Sequence, residues 1–191
     1  MRKTLILSTI IISLFSTGCA PMLVAGVAGS AMLYDTRSLA TIYQDEEITH
    51  QVMGNLKKSE ELAGSQLDVA TLNHTVLLVG RTESKNLKSL AYQIATKTEN
   101  VAHVYNQISV GDNLSPLAVS KDAWITTKAK SSLLAELGAV SSQIKVLTEG
   151  GNVYLMGMVT KQRSEIATEI VSKISGVNKV VKLFHIVKDS E

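Results

Sequence analysis

The chain has 191 residues, of which 45% are hydrophobic and 19% charged, with a formal net charge of +2. That balance excludes disordered and collagen-like material and leaves room for one or two small globular domains. A charge so close to zero also provides little general attraction for nucleic acid.

Taken in chain order, Arg2 and Lys3 precede an apolar run over residues 5–15, and the small residues Ser16, Thr17 and Gly18 follow. This is the layout of a secretory signal peptide, residues 1–18, and the run is too short to span a bilayer. Cys19 is the only cysteine, so it forms no internal disulfide and is either a free or a modified thiol. The stretch STGCA resembles the lipobox of bacterial lipoproteins, although Ser16 stands where that family usually has Leu. The resemblance implies a diacylglycerol on the Cys19 thiol and cleavage that leaves Cys19 as the new N-terminus. Acyl chains contribute about 0.8 kcal/mol per buried methylene, so two or three of them anchor a protein stably. In Gram-negative lipoproteins Asp after the cysteine retains the protein at the inner membrane. Ala20 occupies that position here, which by the same resemblance implies the outer membrane.

Residues 21–34 read PMLVAGVAGSAMLY, without a charge. Tethers are usually polar, so this piece either lies near the lipid surface or packs on the first domain. Its glycines disfavour an isolated helix.

The remainder repeats itself. VLLVG at residues 76–80 aligns with VYLMG at residues 153–157, an offset of 77, and the same offset pairs Ile48 with Ile125 and Leu56 with Leu133. An offset of 76 then pairs Ala91 with Ala167 and Ile94 with Ile170. Two copies of one domain follow, over residues 45–112 and 121–188, with residues 19–44 and 113–120 as linkers. Each copy begins with an amphipathic helix, at about residues 46–58 and 121–137. A hairpin follows, QLDVATL with TVLLVGRT and QIKVLTE with NVYLMGMV. Asn73-His74 and Gly150-Gly151-Asn152 supply the turns. A second helix comes next, at about residues 84–98 and 161–175, and a last strand closes each copy. The expected fold is α+β, α-β-β-α-β twice over, with a three-stranded mixed sheet covered on one face by two helices. The other sheet face is left to solvent or a neighbour, and units of about 65 residues are small enough that docking of the copies is plausible.

This repeated pattern, with WITTK and VYLMGMVT in the second copy, resembles the BON domain, a small α+β module found in pairs in periplasmic proteins. Together with the signal peptide and lipobox it resembles the dual-BON outer-membrane lipoproteins. That resemblance implies binding of anionic phospholipid through the first helix of the second copy, and support of outer-membrane integrity.

Trp124, the only tryptophan, can be read physically. At about 100° per residue, Ile125, Ala129, Leu133 and Leu137 gather on one core-facing side, and Trp124 lies well off it. Lys121, Lys128, Ser131 and Ala135 fall beside Trp124, with Thr127 as a further polar neighbour. Indoles favour the interfacial zone of a bilayer, and each lysine near an anionic surface contributes about 1 kcal/mol. The bland alternative packs Trp124 against the other copy or the sheet edge. Copy one lacks the constellation, since Glu47, Gln44 and Gln51 stand where copy two has Trp124, Lys121 and Lys128. Residues 45–112 hold 6 Lys/Arg against 9 Asp/Glu, and residues 121–191 hold 10 against 7. An anionic surface is therefore expected to meet the second copy.

His50, His74, His103 and His185 are scattered, with no metal-ligand or triad spacing and no phosphate-binding glycine loop. The expectation is a non-enzyme with no cofactor beyond the lipid on Cys19, no small-molecule substrate and no nucleic-acid partner. A second reading makes it an adaptor for outer-membrane assembly proteins, with Trp124 as a protein contact.

Overall fold

A computed structural model describes residues 38–188. In chain order these form α1 (Leu39–Lys58), β1 (Gln66–Leu72), β2 (Thr75–Thr82), α2 (Lys85–Thr96), β3 (His103–Asn106), β4 (Ser109–Val110), α3 (Pro116–Leu137), β5 (Ile144–Glu149), β6 (Asn152–Val159), α4 (Lys161–Ser172) and β7 (Lys179–Ile186). Short 3-10 turns, Glu60–Leu62 and Gly138–Gln143, lead from α1 and α3 into the hairpins.

Each sheet is mixed. The hairpin strands pair antiparallel, and the last strand pairs parallel with the middle one, giving the orders β1-β2-β3 and β5-β6-β7. In the first copy the closing strand is broken: β3 and β4 both pair with β2. Asn106 makes the break, because its side chain donates to the Lys88 carbonyl at 3.1 Å and accepts from the Ile108 N–H at 3.3 Å. The two hairpin turns need a left-handed backbone at both central residues. Asn73 and His74 have φ of 46° and 59°, and Gly150 and Gly151 have 58° and 76°.

The two long helices start earlier than their periodicity announces. Ser38 caps α1 and Ser115 caps α3, each side-chain oxygen accepting a backbone N–H three residues on. Pro116 then occupies the first turn, where its fixed φ suits a helix and its missing N–H is not needed. Residues 116–120, read from sequence as linker, are therefore the opening of α3, and residues 39–45 the opening of α1. The second helices end at Thr96 and Ser172, short of the expected residues 98 and 175.

One face of each sheet packs under its own two helices. Ile48, Val52, Leu56, Val76 and Leu78 fill the first core, and Ile125, Ala129, Leu133, Val153 and Leu155 the second. The opposite faces pack on each other. Ala70, Leu72, Leu77 and Val79 from the first copy meet Leu147, Tyr154 and Met156 from the second. Leu77 with Tyr154 and Val79 with Met156 are again pairs at the 77-residue offset, so the shared layer uses equivalent positions of both copies. This covers each middle strand on both sides, which is why VLLV in β2 is apolar without alternation. Lys145 bridges to Glu46 at 2.8 Å and Arg81 to Glu149 at 3.3 Å, adding charged ties between the copies.

Because the layer is common property, the two copies are expected to unfold in a single thermal transition. Truncating Met156, 2% exposed, to alanine should cost about 2 kcal/mol while keeping one transition. Two resolved transitions by calorimetry would contradict the shared core.

Glu149 makes this interface pH-dependent. Burial raises its carboxyl pKa above the ordinary 4.5, outweighing the lowering by its Arg81 partner, with the negative charges of Asp122 and Asp68 acting in the same direction as burial. A raised carboxylate pKa means the folded state holds the proton longer than the unfolded chain. Stability therefore falls as pH rises from 4.5 through the raised value. Glu149→Gln should remove that slope, which denaturant titrations across the window would measure.

Candidate functional site

The first helix of each copy is pinned over its hairpin by a buried carboxylate. Asp45 accepts from the N–H groups of Asn73 and His74 at 2.8 and 2.9 Å. Asp122 does the same for Gly150 and Gly151 at 2.7 and 2.9 Å. A threonine pair one turn along repeats too, Thr49 with Thr71 at 2.8 Å and Thr126 with Thr148 at 2.7 Å. Asp45 and Asp122 are 1% and 6% exposed, so their charges are held by backbone donors rather than water. These contacts fix the rotation of α3 about its axis and thus decide which residues face outward.

Ile125, Ala129 and Leu133, at 0%, 0% and 1% exposure, point into the core. Trp124 is 53% exposed. Lys121, Thr127, Lys128 and Ser131 are exposed as well, and all lie within about 60° of Trp124 around the helix at 100° per residue. The structure thus brings all five expected side chains onto one outer face. Lys130 turns away toward a groove between the copies.

Lys121 lies against the end of α4. Gly176, with φ of 88°, has no side chain there, and an added Cβ would come 2.9 Å from Lys121 Cε and 3.4 Å from Ile125 Cδ1. The glycine thus leaves room for the lysine stem to lie along the domain while its ammonium stays at the surface.

Leu117 belongs to this face and was missed from sequence. It is 81% exposed and two helical turns before Trp124, about 20° from it around the axis. Beginning the helix at Lys121 had left it in the linker. The signal was present in Ser115-Pro116, an N-cap followed by proline at the first helical position. The face therefore carries an exposed leucine and an exposed indole with lysines between and beyond them. Chemically, it can insert apolar groups to a shallow depth while meeting anions alongside.

The equivalent face of α1 carries Gln44, Glu47 and Gln51, and Gln51 donates to Glu47 at 3.1 Å. Exposed Leu39 and Tyr43 lie on α1 as well, at 68% and 73%, without neighbouring lysines. Among the described residues no His, Cys, Asp or Glu side chains form a group of three suited to a metal, and no helix is long and apolar enough to cross a membrane. Cys19, residues 1–18 with their signal-peptide layout, and the uncharged stretch 21–34 lie outside the described residues.

Residues 44–112 and 121–188 each match the BON domain. The chain is 33% identical over 174 residues to "Outer membrane lipoprotein DolP" of Haemophilus influenzae, covering 90% of each. It is 34% identical over 155 residues to "21 kDa hemolysin" of Actinobacillus pleuropneumoniae, covering 81% of this chain and 80% of that relative. "Osmotically-inducible protein Y" of Escherichia coli is 28% identical over 156 residues, covering 80% of this chain and 78% of that relative. With both repeats matched and a relative similar along nearly its whole length, the chain is a member of the BON-domain family with two such domains in tandem.

Proposed function

We propose that this protein is a lipid-anchored outer-membrane lipoprotein facing the periplasm, and that α3 binds anionic phospholipid and thereby supports the integrity of that membrane. The observation that carries the reading is the exposed face of α3, where Leu117 and Trp124 stand out of the fold, with Lys121 between them and Lys128 beyond. A large indole half in solvent is unusual unless it meets something. The lysines match that something to an anionic surface, and the rigid pinning by Asp122 presents the face ready-made. The name of the relative from Haemophilus influenzae, an outer membrane lipoprotein, supports the location, as do the lipobox-like residues around Cys19. No step in this role requires an enzyme's chemistry.

The test is binding of a soluble form lacking residues 1–19 to vesicles, anionic phosphatidylglycerol mixtures against pure phosphatidylcholine. Binding should require the anionic lipid and weaken with salt, since surface charges are screened within about 8 Å at physiological ionic strength. Replacing Lys121 and Lys128 together with Gln should weaken it about 30-fold, two contributions of roughly 1 kcal/mol each, and flatten the salt dependence. Equal binding to both vesicle types, or none with a folded protein, would make α3 a protein contact and the adaptor reading the better one.

A further inference from the structure

The outer strands β1 and β5 have no partner on their outer edges among the described residues. A groove of about 1080 Å³ lies between the copies, touched by consecutive residues of both strands, 66–69 and 144–149. Successive side chains of a strand point to opposite faces, so a groove that meets every residue runs along the edge, where backbone N–H and C=O groups are displayed. Its lining follows the repeat: Ile42 with Val119, Leu67 with Ile144 and Val69 with Val146 are pairs at the 77-residue offset.

The two edges differ. On β1, the Asp68 carboxylate accepts from the Val69 N–H at 2.8 Å, a local contact that competes with an added strand. On β5 both charged side chains are drawn to the first copy, Lys145 to Glu46 at 2.8 Å and Glu149 to Arg81 at 3.3 Å. The β5 edge is the better template.

We propose that residues 21–34 of this same chain occupy the groove as an extended segment along β5. That stretch ends four residues before Ser38, the cap of α1, and Ile42 in the first turns of α1 already lines the groove. Reach is ample, since six extended residues span about 20 Å and match the six of β5. The composition suits the place: none of the 14 residues is charged, and Gly26, Gly29, Ala25, Ala28 and Ala31 let a backbone come close beneath Val119 and Ala123 of α3. Left in water, the same run would expose Leu23, Val24, Val27, Met32 and Leu33. With lipid on Cys19, docking shortens the free tether from the 18 residues 20–37 and limits how the α3 face can turn relative to the membrane. The docking itself does not depend on α3 binding lipid.

Hydrogen exchange followed by mass spectrometry on the full lipidated protein in neutral detergent micelles tests this, against a variant carrying Val24→Ser, Val27→Ser and Leu33→Ser. Amides of residues 144–149 should exchange at least tenfold faster in the variant, with β2 and β6 unchanged as the control for folding. A synthetic peptide of residues 21–34 added to the variant should restore protection. Equal exchange in both proteins overturns the proposal. Protection that disappears on dilution of the native protein also overturns it, by making a second copy the occupant.

Discussion

Replacing Asp122 with alanine is expected to destabilise the protein by about 4 kcal/mol, from two charge-assisted hydrogen bonds of roughly 2 kcal/mol each. The side chain is 6% exposed, and the Gly150 and Gly151 N–H groups it receives sit in a turn with φ above 50° at both residues. Those donors have the carboxylate in place of water, so its removal strands them and loosens the link between α3 and the hairpin. Asp122→Asn keeps the shape and one acceptor, and should recover part of the loss. Chemical denaturation gives both numbers. A loss below about 1 kcal/mol, the range of an exposed contact, would show that the turn holds its conformation unaided.

The second large effect concerns binding. Trp124→Glu removes an indole worth roughly 2 kcal/mol of apolar burial at an interface and sets a like charge against an anionic surface, at about 1 kcal/mol. Together these predict about a 100-fold loss of affinity for phosphatidylglycerol vesicles. Trp124 is half in solvent and outside all three buried clusters, so the melting temperature should change little. A matching loss of stability would mean that the indole supports the fold instead.

How much of this was legible in the sequence depends on what each element answers to. The repeat showed because equivalent cores demand equivalent apolar positions; the first hairpin spans the residues its alternating runs predict, and the second begins one residue later than predicted, at Ile144, with Gln143 in the preceding 3-10 turn. Trp124, Lys121 and Lys128 fell on the outer face because Ile125, Ala129 and Leu133 set the inner one. The beginnings of α1 and α3 did not show, since residues 39–45 and 116–120 extend beyond the apolar repeat and only their caps announce them. Leu117 was lost with them. The shared layer left open a choice between solvent and a neighbour, because a three-stranded sheet has a second face whichever covers it. The run VLLV in β2 held the answer, an apolar stretch that fits coverage from both sides. The paired roles of Asp45 and Asp122 were hidden for another reason: a carboxylate in an amphipathic helix reads as solvated until the turn beneath it is known.

Trp124 is the only tryptophan in the chain, so its fluorescence reports on the proposed site alone. The most direct measurement is its emission spectrum on addition of phosphatidylglycerol vesicles, followed by quenching with lipids brominated at successive acyl positions. The account predicts a blue shift and strongest quenching by bromines nearest the headgroups, the depth an indole on a pinned surface helix reaches. An unshifted, unquenched spectrum from protein that is nevertheless vesicle-bound would contradict it, because the contact would then lie elsewhere on the molecule.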